Sequence, residues 1–418
     1  MNLKVRLVIM NFLQFAVWGA YLTSMGSYLA SAGQGANIGI FYAMQGITSI
    51  FMPALVGIVA DRWIPAQKMM GICHLISSSF MLGLAYYAMQ SGTDANFGVL
   101  IGLFAVGIGF YMPSLSLSYA VAYNALEKAG MDTITTFPPI RTFGTVGFIC
   151  TMLLVDILGY QTTFMQFVVS GVLGILLGFY AMTLPECPIN KGAKKSLVDA
   201  LGLRAFSLFK NRTMATFLIF SMLLGVALQL SNSYANPFIT SFKAIPAFAD
   251  TFGANHANAL ISLSQCSETL CILLIPFFMK RLGIKKVMLM SMLAWVFRFG
   301  LFGAGNPGGG VWMFIISMIV YGVAFDFFNV SGSLFVNQYT DKSMRSSAQG
   351  LFMLMTNGIG ATLGTLGAQN IVNYYTENVD GIMIGNWSSA WYIFAAYALV
   401  IAILFAIFFK YDYKPAEK

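Results

Sequence analysis

An acidic residue lies near the middle of a long apolar stretch, and this is where the sequence first suggests chemistry. The stretch Ala257–Met279 carries one formal charge, Glu268, with Gln265 three residues before it. As a helix it is long enough to cross the hydrocarbon core of a bilayer. A carboxylate at mid-bilayer depth costs roughly 2.5–3.5 kcal/mol, so it normally faces a partner or a water-filled cavity. The i, i+3 spacing predicts a polar site at Glu268 and Gln265; a neutral packing acid bonded to a neighbouring helix is the alternative.

Two further charges fall deep within apolar segments at comparable depths. Arg298 lies within one segment and Asp326 within the next. Buried charges are normally paired, because an isolated one is costly to desolvate. We therefore predict an Arg298–Asp326 ion pair, serving either as a structural clamp or in proton or substrate handling.

Another apolar segment begins with the sequence FPPIRTFGTVGF. Its two prolines suit a first helical turn. Arg141, Thr145 and Phe148 then recur at i, i+4 and i+7, which places them on one stripe. A guanidinium, a hydroxyl and an aromatic ring on one stripe suit a polar ligand that contains a ring. The alternative is that Arg141 extends its head group to the membrane interface.

Amides and aromatic rings recur at helical spacing in two later segments. Gln229 and Asn232 share a face at i, i+3 and offer both donors and acceptors, although amides also join transmembrane helices. Tyr321 and Phe325 are an i, i+4 aromatic pair, which is either a ligand platform or ordinary core. Asp326 and Asn329 form a second stripe beside that pair.

The composition identifies the kind of element that positions these residues. Of 418 residues, 58% are hydrophobic and 9% are charged. Soluble proteins carry about 25% charged residues. The apolar runs are continuous rather than alternating, so we predict an all-α, polytopic membrane protein instead of a barrel. We expect twelve transmembrane segments, at residues 6–29, 37–60, 69–89, 97–124, 136–158, 162–184, 213–241, 257–279, 287–305, 311–336, 346–373 and 387–409.

The longest hydrophilic interval divides these segments six and six. It contains two prolines and the basic cluster Lys191, Lys194 and Lys195. The short basic loops after the second and eighth segments lie six spans apart and support two similar halves. The predicted domains are an N-terminal six-helix half at 1–184, a cytoplasmic linker at 185–212, a C-terminal six-helix half at 213–410 and a cytoplasmic tail at 411–418.

The placement of positive charge predicts the orientation. If the N-terminus is inside, only Lys243 of the 23 Lys and Arg residues falls in an outer loop, while Arg141 and Arg298 lie within segments. The positive-inside rule then places both termini in the cytoplasm. This topology accounts for the formal net charge of +8 without requiring an anionic partner.

Motifs for enzymatic or metal chemistry do not emerge from the sequence. The five cysteines and two histidines show no metal-ligand spacing, and we interpret His74 and His256 as structural. A membrane-embedded enzyme would need a nucleophile with its base, or a metal cluster such as H-E-x-x-H. We therefore predict neither an enzyme nor a bound cofactor or metal. A sensory receptor would usually carry a large soluble output domain, and a channel would carry a selectivity loop. The sequence shows neither feature, which disfavours both classes.

The loop after the second segment, GIVADRWIPAQK, resembles the loop signature of the major facilitator superfamily. Gly57, Asp61 and Arg62 carry the likeness. In that superfamily the carboxylate meets a helix N-terminus and stabilises one access state, which implies a gating role here. An ordinary ion pair at a helix end is the alternative.

Longer motifs narrow the resemblance. FPPIR-x-x-GT-x-GF, FSMLLG-x-x-LQ-x-x-N, Q-x-SE, YG-x-AFDFFN-x-SGS-x-FV and SAQG-x-F-x-x-MTNG resemble the bacterial nucleoside:H⁺ symporter family across essentially the whole chain. The resemblance implies a major facilitator fold and proton-driven uptake of purine and pyrimidine nucleosides. It also implies a set of ligand-contacting positions, namely Arg141, Thr145, Phe148, Gln229, Asn232, Gln265, Glu268, Tyr321 and Phe325.

The leading hypothesis is therefore a secondary transporter with alternating access, in which the two halves rock around a central site. Glu268 is the first candidate for proton coupling and Asp326 the second, because a buried carboxyl group can exchange protons near neutral pH. Nucleosides are uncharged and offer hydroxyls, base edges and a ring face, which match amides, acids and aromatic side chains. A proton-coupled sugar or drug carrier is the alternative. We expect a monomer in the bacterial cytoplasmic membrane, among membrane lipids and without nucleic acid.

Overall fold

A computed structural model describes residues 2–189, 203–340 and 345–411, without the side chains of residues 58, 61, 62, 134, 135, 203, 204 and 345–347. The described chain is helical apart from loops, short turns and one two-stranded hairpin. Ten of its helices are long and apolar enough to span a bilayer. The prediction of an all-α, polytopic membrane protein is therefore confirmed at this level.

The contacts divide the chain into two compact units. One unit is Met1–Leu201 with Asn378–Ile382, and the other is Gly202–Glu377 with Met383–Lys418. Each unit is described here by itself. Much of the predicted linker at 185–212 and of the tail at 411–418 lies outside the described residues.

The described part of the first unit contains seven α-helices. Their bounds are α1 Leu3–Gly19, α2 Met25–Ser31, α3 Ile38–Arg62, α4 Ala66–Ser91, α5 Phe97–Lys128, α6 Thr133–Ile157 and α7 Met165–Met182. Asn96 caps α5 by accepting a hydrogen bond from the Gly98 amide at 2.9 Å. The predicted first segment at 6–29 is two helices, because the chain leaves the α-helical pattern between Gly19 and Met25.

The second unit contains the remaining helices. Their bounds are α8 Arg212–Ser241, α9 Phe252–Asn255, α10 Ala257–Ala304, α11 Val311–Tyr339, α12 Arg345–Met353, a π-helical segment Leu354–Gly360, α13 Ala361–Tyr375 and α14 Trp387–Phe408. Asn211 caps α8, accepting from the Thr213 and Met214 amides at 3.0 and 3.2 Å. A hairpin of β1 Thr376–Val379 and β2 Ile382–Gly385 occupies the predicted loop before α14.

The predicted eighth and ninth segments are two helices separated only by a kink, and they are labelled together as α10. It changes direction at Gly283, whose φ of 74° and ψ of 168° lie outside the helical region. Only glycine adopts this backbone conformation readily. The loop KRLGIKK, which was expected between two helices, is therefore helical on both sides of a single bend.

The π-helical segment packs closely against α8. A Cβ added at Gly364, just after the segment, would lie 2.6 Å from the Val226 Cα, and one added at Gly225 would collide with the Thr356 backbone. Real Cβ atoms do not come this close to a backbone. Glycine at these two positions is therefore required for α8 to approach the π-helical segment and α13. Wide π turns usually occur where side chains are used for function.

Candidate functional site

Arg141 is held from two sides within the first unit. Its guanidinium carbon lies 3.8 Å from the centroid of the Phe15 ring on α1, which is a cation–π contact. Its Nε donates a hydrogen bond to the Tyr119 hydroxyl on α5 at 2.9 Å. This bond uses one of the five N–H groups of the guanidinium. The head group is thus fixed among α1, α5 and α6.

Gly144 provides the space for this arrangement. A Cβ at Gly144 would lie 2.6 Å from Phe15 Cδ2 and 2.8 Å from Arg141 Nη1. Any larger residue there must displace the ring or the guanidinium. The sequence analysis did not single out Phe15, Tyr119 or Gly144. Gly144 is the glycine of the FPPIR-x-x-GT motif, and this motif was the available signal of a close contact beside Arg141.

Phe148 and Thr145 continue the Arg141 stripe along α6. Phe148 is buried and meets the Trp18 ring of α1 edge-on, at 6.4 Å and 88°. Trp18 donates from Nε1 to Gln45 Oε1 at 3.3 Å. Thr145 is half-buried, and its hydroxyl makes no hydrogen bond to any described residue. The stripe therefore combines a fixed cation, an uncommitted hydroxyl and an aromatic edge.

A buried polar network is centred on Gln14, one helical turn before Trp18 on α1. Gln14 donates from Nε2 to Ser114 Oγ at 2.8 Å, and its Oε1 lies 2.7 Å from His74 Nε2. Since the amide oxygen accepts, the assigned network places the imidazole hydrogen on Nε2. The Tyr111 hydroxyl also donates to the Gln14 carbonyl at 2.8 Å. The network joins α1, α4 and α5 and restrains the helix that carries Phe15 and Trp18.

In the second unit, Gln229 and Asn232 contact each other on α8. Asn232 donates from Nδ2 to Gln229 Oε1 at 3.1 Å, as their i, i+3 spacing permits. Gln229 is buried and Asn232 is half-buried. The donor of Gln229 and the acceptor of Asn232 are not used in this bond, so the pair keeps both kinds of group for a ligand.

Tyr321 lies at the centre of the other predicted residues of this unit. Its ring stacks on Phe325 at 5.8 Å and 7°, and Trp295 meets it edge-on at 5.9 Å. Gln265 and Glu268 of α10 both interact electrostatically with the Tyr321 hydroxyl. The structure thus gathers the Gln265–Glu268 face of α10 and the aromatic pair of α11 into one group.

The predicted ion pair between Arg298 and Asp326 is wrong. Lys68 and Glu186 form an ion pair at 3.7 Å, but Arg298 and Asp326 do not. Arg298 is buried and donates instead to the Ser317 carbonyl at 2.7 Å and to Ser231 Oγ at 3.0 Å. Its guanidinium carbon also lies 4.7 Å from the centroid of the Tyr321 ring. Neutral acceptors and an aromatic face take the place of a counter-ion.

The antiparallel register of α10 and α11 explains the error. Arg298 is level with Ser317, since the Ser317 hydroxyl also donates to the Arg298 carbonyl at 3.0 Å. Further along, Ser291 donates to the Ala324 carbonyl. Asp326 therefore lies about 13 Å further along α11 than the level of Arg298, at about 1.5 Å per residue. Counting depth from the ends of apolar segments could not resolve this displacement.

Asp326 is buried and only 4% exposed. Its Oδ2 has no hydrogen-bond partner within the described part of the chain. Glu268 is the charged residue that acts on it electrostatically. The two predicted proton-coupling candidates therefore interact electrostatically between α10 and α11.

A small cavity of about 20 Å³, room for about one water molecule, opens beside this group. Phe325 and Asn329 of α11 line it, together with Trp295 and residues of α8 and the π-helical segment. Of the three predicted gating residues, Gly57 lies in α3 with open space at its Cβ position. The side chains of Asp61 and Arg62 are outside the described set. Among the residues searched, no three His, Cys, Asp or Glu side chains are grouped as metal ligands.

Comparison with known proteins agrees with this architecture. The family model described as nucleoside H⁺ symporter matches residues 1–414. The xanthosine permease of Escherichia coli (strain K12) is 45% identical over 421 residues, covering 100% of this chain and 98% of that protein. The nucleoside permease NupG of the same organism is 46% identical over 418 residues, covering 99% and 97%.

Solved structures give the same result. A crystal structure of the nucleoside transporter NupG matches with a TM-score of 0.90 and 44% identity, over 99% of this chain and 100% of that one. An auto-inhibited POT family peptide transporter, at 13% identity and a TM-score of 0.73, shares the fold alone. These relatives are transporters and not enzymes. On the extent of the family match and of the identity to both permeases, this chain belongs to the nucleoside H⁺ symporter family.

Proposed function

We propose that this protein carries purine and pyrimidine nucleosides into the bacterial cytoplasm together with protons, by alternating access. Membership of the nucleoside H⁺ symporter family supports transport and proton coupling. The printed names of the permease relatives support nucleosides as the solute. The observation that carries the proposal in this chain is the group around Tyr321, where Glu268 and Asp326 both act electrostatically on a tyrosine that stacks on Phe325.

The proposed nucleoside contacts are the nine predicted positions. In the first unit, Arg141 and Thr145 offer donors to hydroxyls or base edges, and Phe148 offers an aromatic edge. In the second, amides and Glu268 supply polar contacts beside the Tyr321–Phe325 stack. The full set is Arg141, Thr145, Phe148, Gln229, Asn232, Gln265, Glu268, Tyr321 and Phe325.

Proton coupling is assigned to Glu268, with Asp326 as its neighbour and the second candidate. A proton on either carboxyl group neutralises a negative charge within an apolar segment, so protonation lowers the cost of burial. Arg298 is bonded to serine hydroxyls and a carbonyl, and it has a structural role in this proposal.

The proposed topology has twelve spans in two halves of six. Helices α1 and α2 together make one span. Helix α10, at 48 residues, is about 72 Å long, more than twice the roughly 30 Å of a bilayer core, so its two parts on either side of Gly283 are separate spans. The halves are placed at 1–184 and 213–410, with both termini cytoplasmic because positive charge concentrates in the loops assigned inside. Gly57, Asp61 and Arg62 are proposed to stabilise one access state.

The experiment is uptake of radiolabelled nucleosides in a bacterial strain that lacks its own nucleoside permeases. Expression of this chain should give concentrative uptake that a protonophore abolishes. Unlabelled uridine and adenosine should compete, whereas sugars should not. Competition by sugars alone would support the alternative carrier, and uptake unaffected by the protonophore would contradict proton coupling.

A further inference from the structure

Helix α1 contacts the Arg141 stripe of α6 at both of its ends. Phe15 lies against the Arg141 guanidinium at one end. Three residues later on the same face of α1, Trp18 meets the Phe148 ring edge-on at the other end. Thr145 lies between these two contacts in the stripe, and its hydroxyl is uncommitted. The two helices therefore present one continuous set of side chains, to which α1 contributes as much as α6.

Trp18 is the member of this set that the nine predicted contacts leave out. Three other helices pack against its ring, through Phe148 of α6, Tyr111 of α5 at 5.8 Å and Gln45 of α3. Those three residues are buried, whereas Trp18 is half-buried. The part of the indole that its neighbours leave uncovered is thus available to a ligand that contacts Phe148.

Gln45 fixes the orientation of the indole. Trp18 donates a hydrogen bond from Nε1 to Gln45 Oε1 at 3.3 Å. Since an indole nitrogen can only donate, the amide oxygen of Gln45 must face Trp18 and its Nε2 must point away. The network around Gln14 restrains α1 one turn earlier. The backbone and the ring nitrogen of Trp18 are therefore held separately.

The burial of Gln45 serves this orientation rather than the stability of the fold. Gln45 is only 2% exposed, and its Nε2 has no hydrogen-bond partner within the described part of the chain. Burying an amide nitrogen without a partner costs free energy, and an apolar side chain of the same size would avoid that cost. An amide at this position is explained by the bond that it makes to Trp18.

We propose that Trp18 is a further nucleoside-binding residue of the first unit, and that Gln45 is the positioning residue that holds its indole. The uncovered part of the indole packs against a ring of the nucleoside, beside the contacts assigned to Thr145 and Phe148. Aromatic contact of this kind suits purines and pyrimidines alike, because every nucleobase has a π-face. The proposal deepens the proposed function and rests on it, and it adds Trp18 to the nine predicted contacts.

A double-mutant cycle on ligand affinity tests the proposal. Dissociation constants of uridine and adenosine are measured on purified wild-type protein, Trp18→Phe, Gln45→Met and the double variant. Trp18→Phe loses aromatic contact area and should bind both ligands about fivefold more weakly or worse. Gln45→Met keeps the size of the side chain but removes the acceptor, and should weaken binding about threefold or more. In the Trp18→Phe background the same change should have almost no further effect, because phenylalanine has no N–H group to hold.

Thermal stability in detergent separates positioning from a structural role. Gln45→Met should unfold at the wild-type temperature or above it, because the variant removes a buried amide nitrogen that has no partner. A lower unfolding temperature together with unchanged affinity would give Gln45 a structural role and overturn its assignment. Gln45→Met leaves every ring in place, so it tests the proposal even if Trp18→Phe folds poorly.

Two matched controls make the same changes at exposed positions. Trp312→Phe alters a tryptophan of α11 that is 52% exposed, and Gln90→Met alters an exposed glutamine of α4. Neither control should change the affinity for uridine or adenosine.

The outcomes separate this inference from the function on which it rests. If wild-type protein binds nucleosides and Trp18→Phe binds them equally well, Trp18 is not a contact and the inference alone is overturned. An equal loss from Gln45→Met with and without Trp18→Phe would show that Gln45 does not act through the indole, and would overturn its positioning role. A wild-type protein that binds neither uridine nor adenosine would remove the proposed function and the inference together.

Discussion

At the scale of single residues, Arg141 depends on the shape of its side chain as much as on its charge. The planar guanidinium lies over Phe15 while its Nε donates to Tyr119. An ammonium group cannot satisfy both contacts in the same way. We expect Arg141→Lys to weaken nucleoside binding by about tenfold or more, from the combined loss of stacking and directed hydrogen bonding. Equilibrium binding measures this loss of affinity, and Thr142→Ala at an exposed position of the same helix is the control. Unchanged affinity for Arg141→Lys would contradict the assigned role.

Arg298 and Asp326 should behave independently, because they do not form an ion pair. Neutralising Arg298 as Arg298→Gln removes hydrogen bonds from a charged group, each contributing about 1.5–3 kcal/mol, and should lower thermal stability in detergent. Asp326→Asn should not rescue it: the double variant should lose the sum of the single effects. A double variant that is more stable than Arg298→Gln alone would indicate that the two charges are coupled after all.

Glu268→Gln separates binding from coupling. Glutamine keeps the shape and can donate a hydrogen bond as a protonated glutamic acid does, so nucleoside binding should partly survive. Accumulation against a gradient should be lost, because the side chain can no longer release a proton. Binding by calorimetry and uptake by vesicles measure the two properties side by side. If accumulation persists with its pH dependence intact, Asp326 becomes the leading coupling residue.

Sequence spacing predicted contacts within one helix well. The Gln229–Asn232 contact and the Tyr321–Phe325 stack follow directly from i, i+3 and i, i+4 positions. Contacts between helices depend on register, which spacing within a chain does not contain. For this reason Arg298 was assigned to the wrong partner, and Phe15 was not recognised beside Arg141.

At the scale of elements, the bend of α10 depends on Gly283. Its backbone conformation is nearly exclusive to glycine, so Gly283→Ala should cost about 1–3 kcal/mol. Thermal unfolding in detergent measures the loss. Gly300→Ala is the matched control on the same helix: its Cβ position is open, and alanine favours a helix. If Gly283→Ala and Gly300→Ala are equally stable, a side chain at position 283 does not strain the bend, and the prediction is contradicted.

Length and hydropathy predicted where helices occur, because a bilayer demands long apolar segments with internally bonded backbones. They did not predict the break between α1 and α2, the tight kink at Gly283 in place of a loop or the β1–β2 hairpin. These features arise from local backbone geometry and tertiary contacts. The π-helical segment is another such case, since its wide turn accompanies close packing of glycines against α8.

At the scale of the whole molecule, the chain consists of two compact units and belongs to a family of proton symporters. Glu268 and Asp326 interact electrostatically beside the Tyr321–Phe325 stack. The central claim is that nucleoside and proton cross the membrane together and that this carboxyl pair carries the proton.

Proton movement into proteoliposomes tests this claim most directly. The purified protein is reconstituted with a pH-sensitive dye inside, and nucleoside is added outside without a pH gradient, while valinomycin and potassium hold the membrane potential at zero. Wild-type protein should acidify the interior on addition of uridine, whereas Glu268→Gln should not. Uptake of labelled uridine by the same wild-type vesicles without acidification would contradict the account.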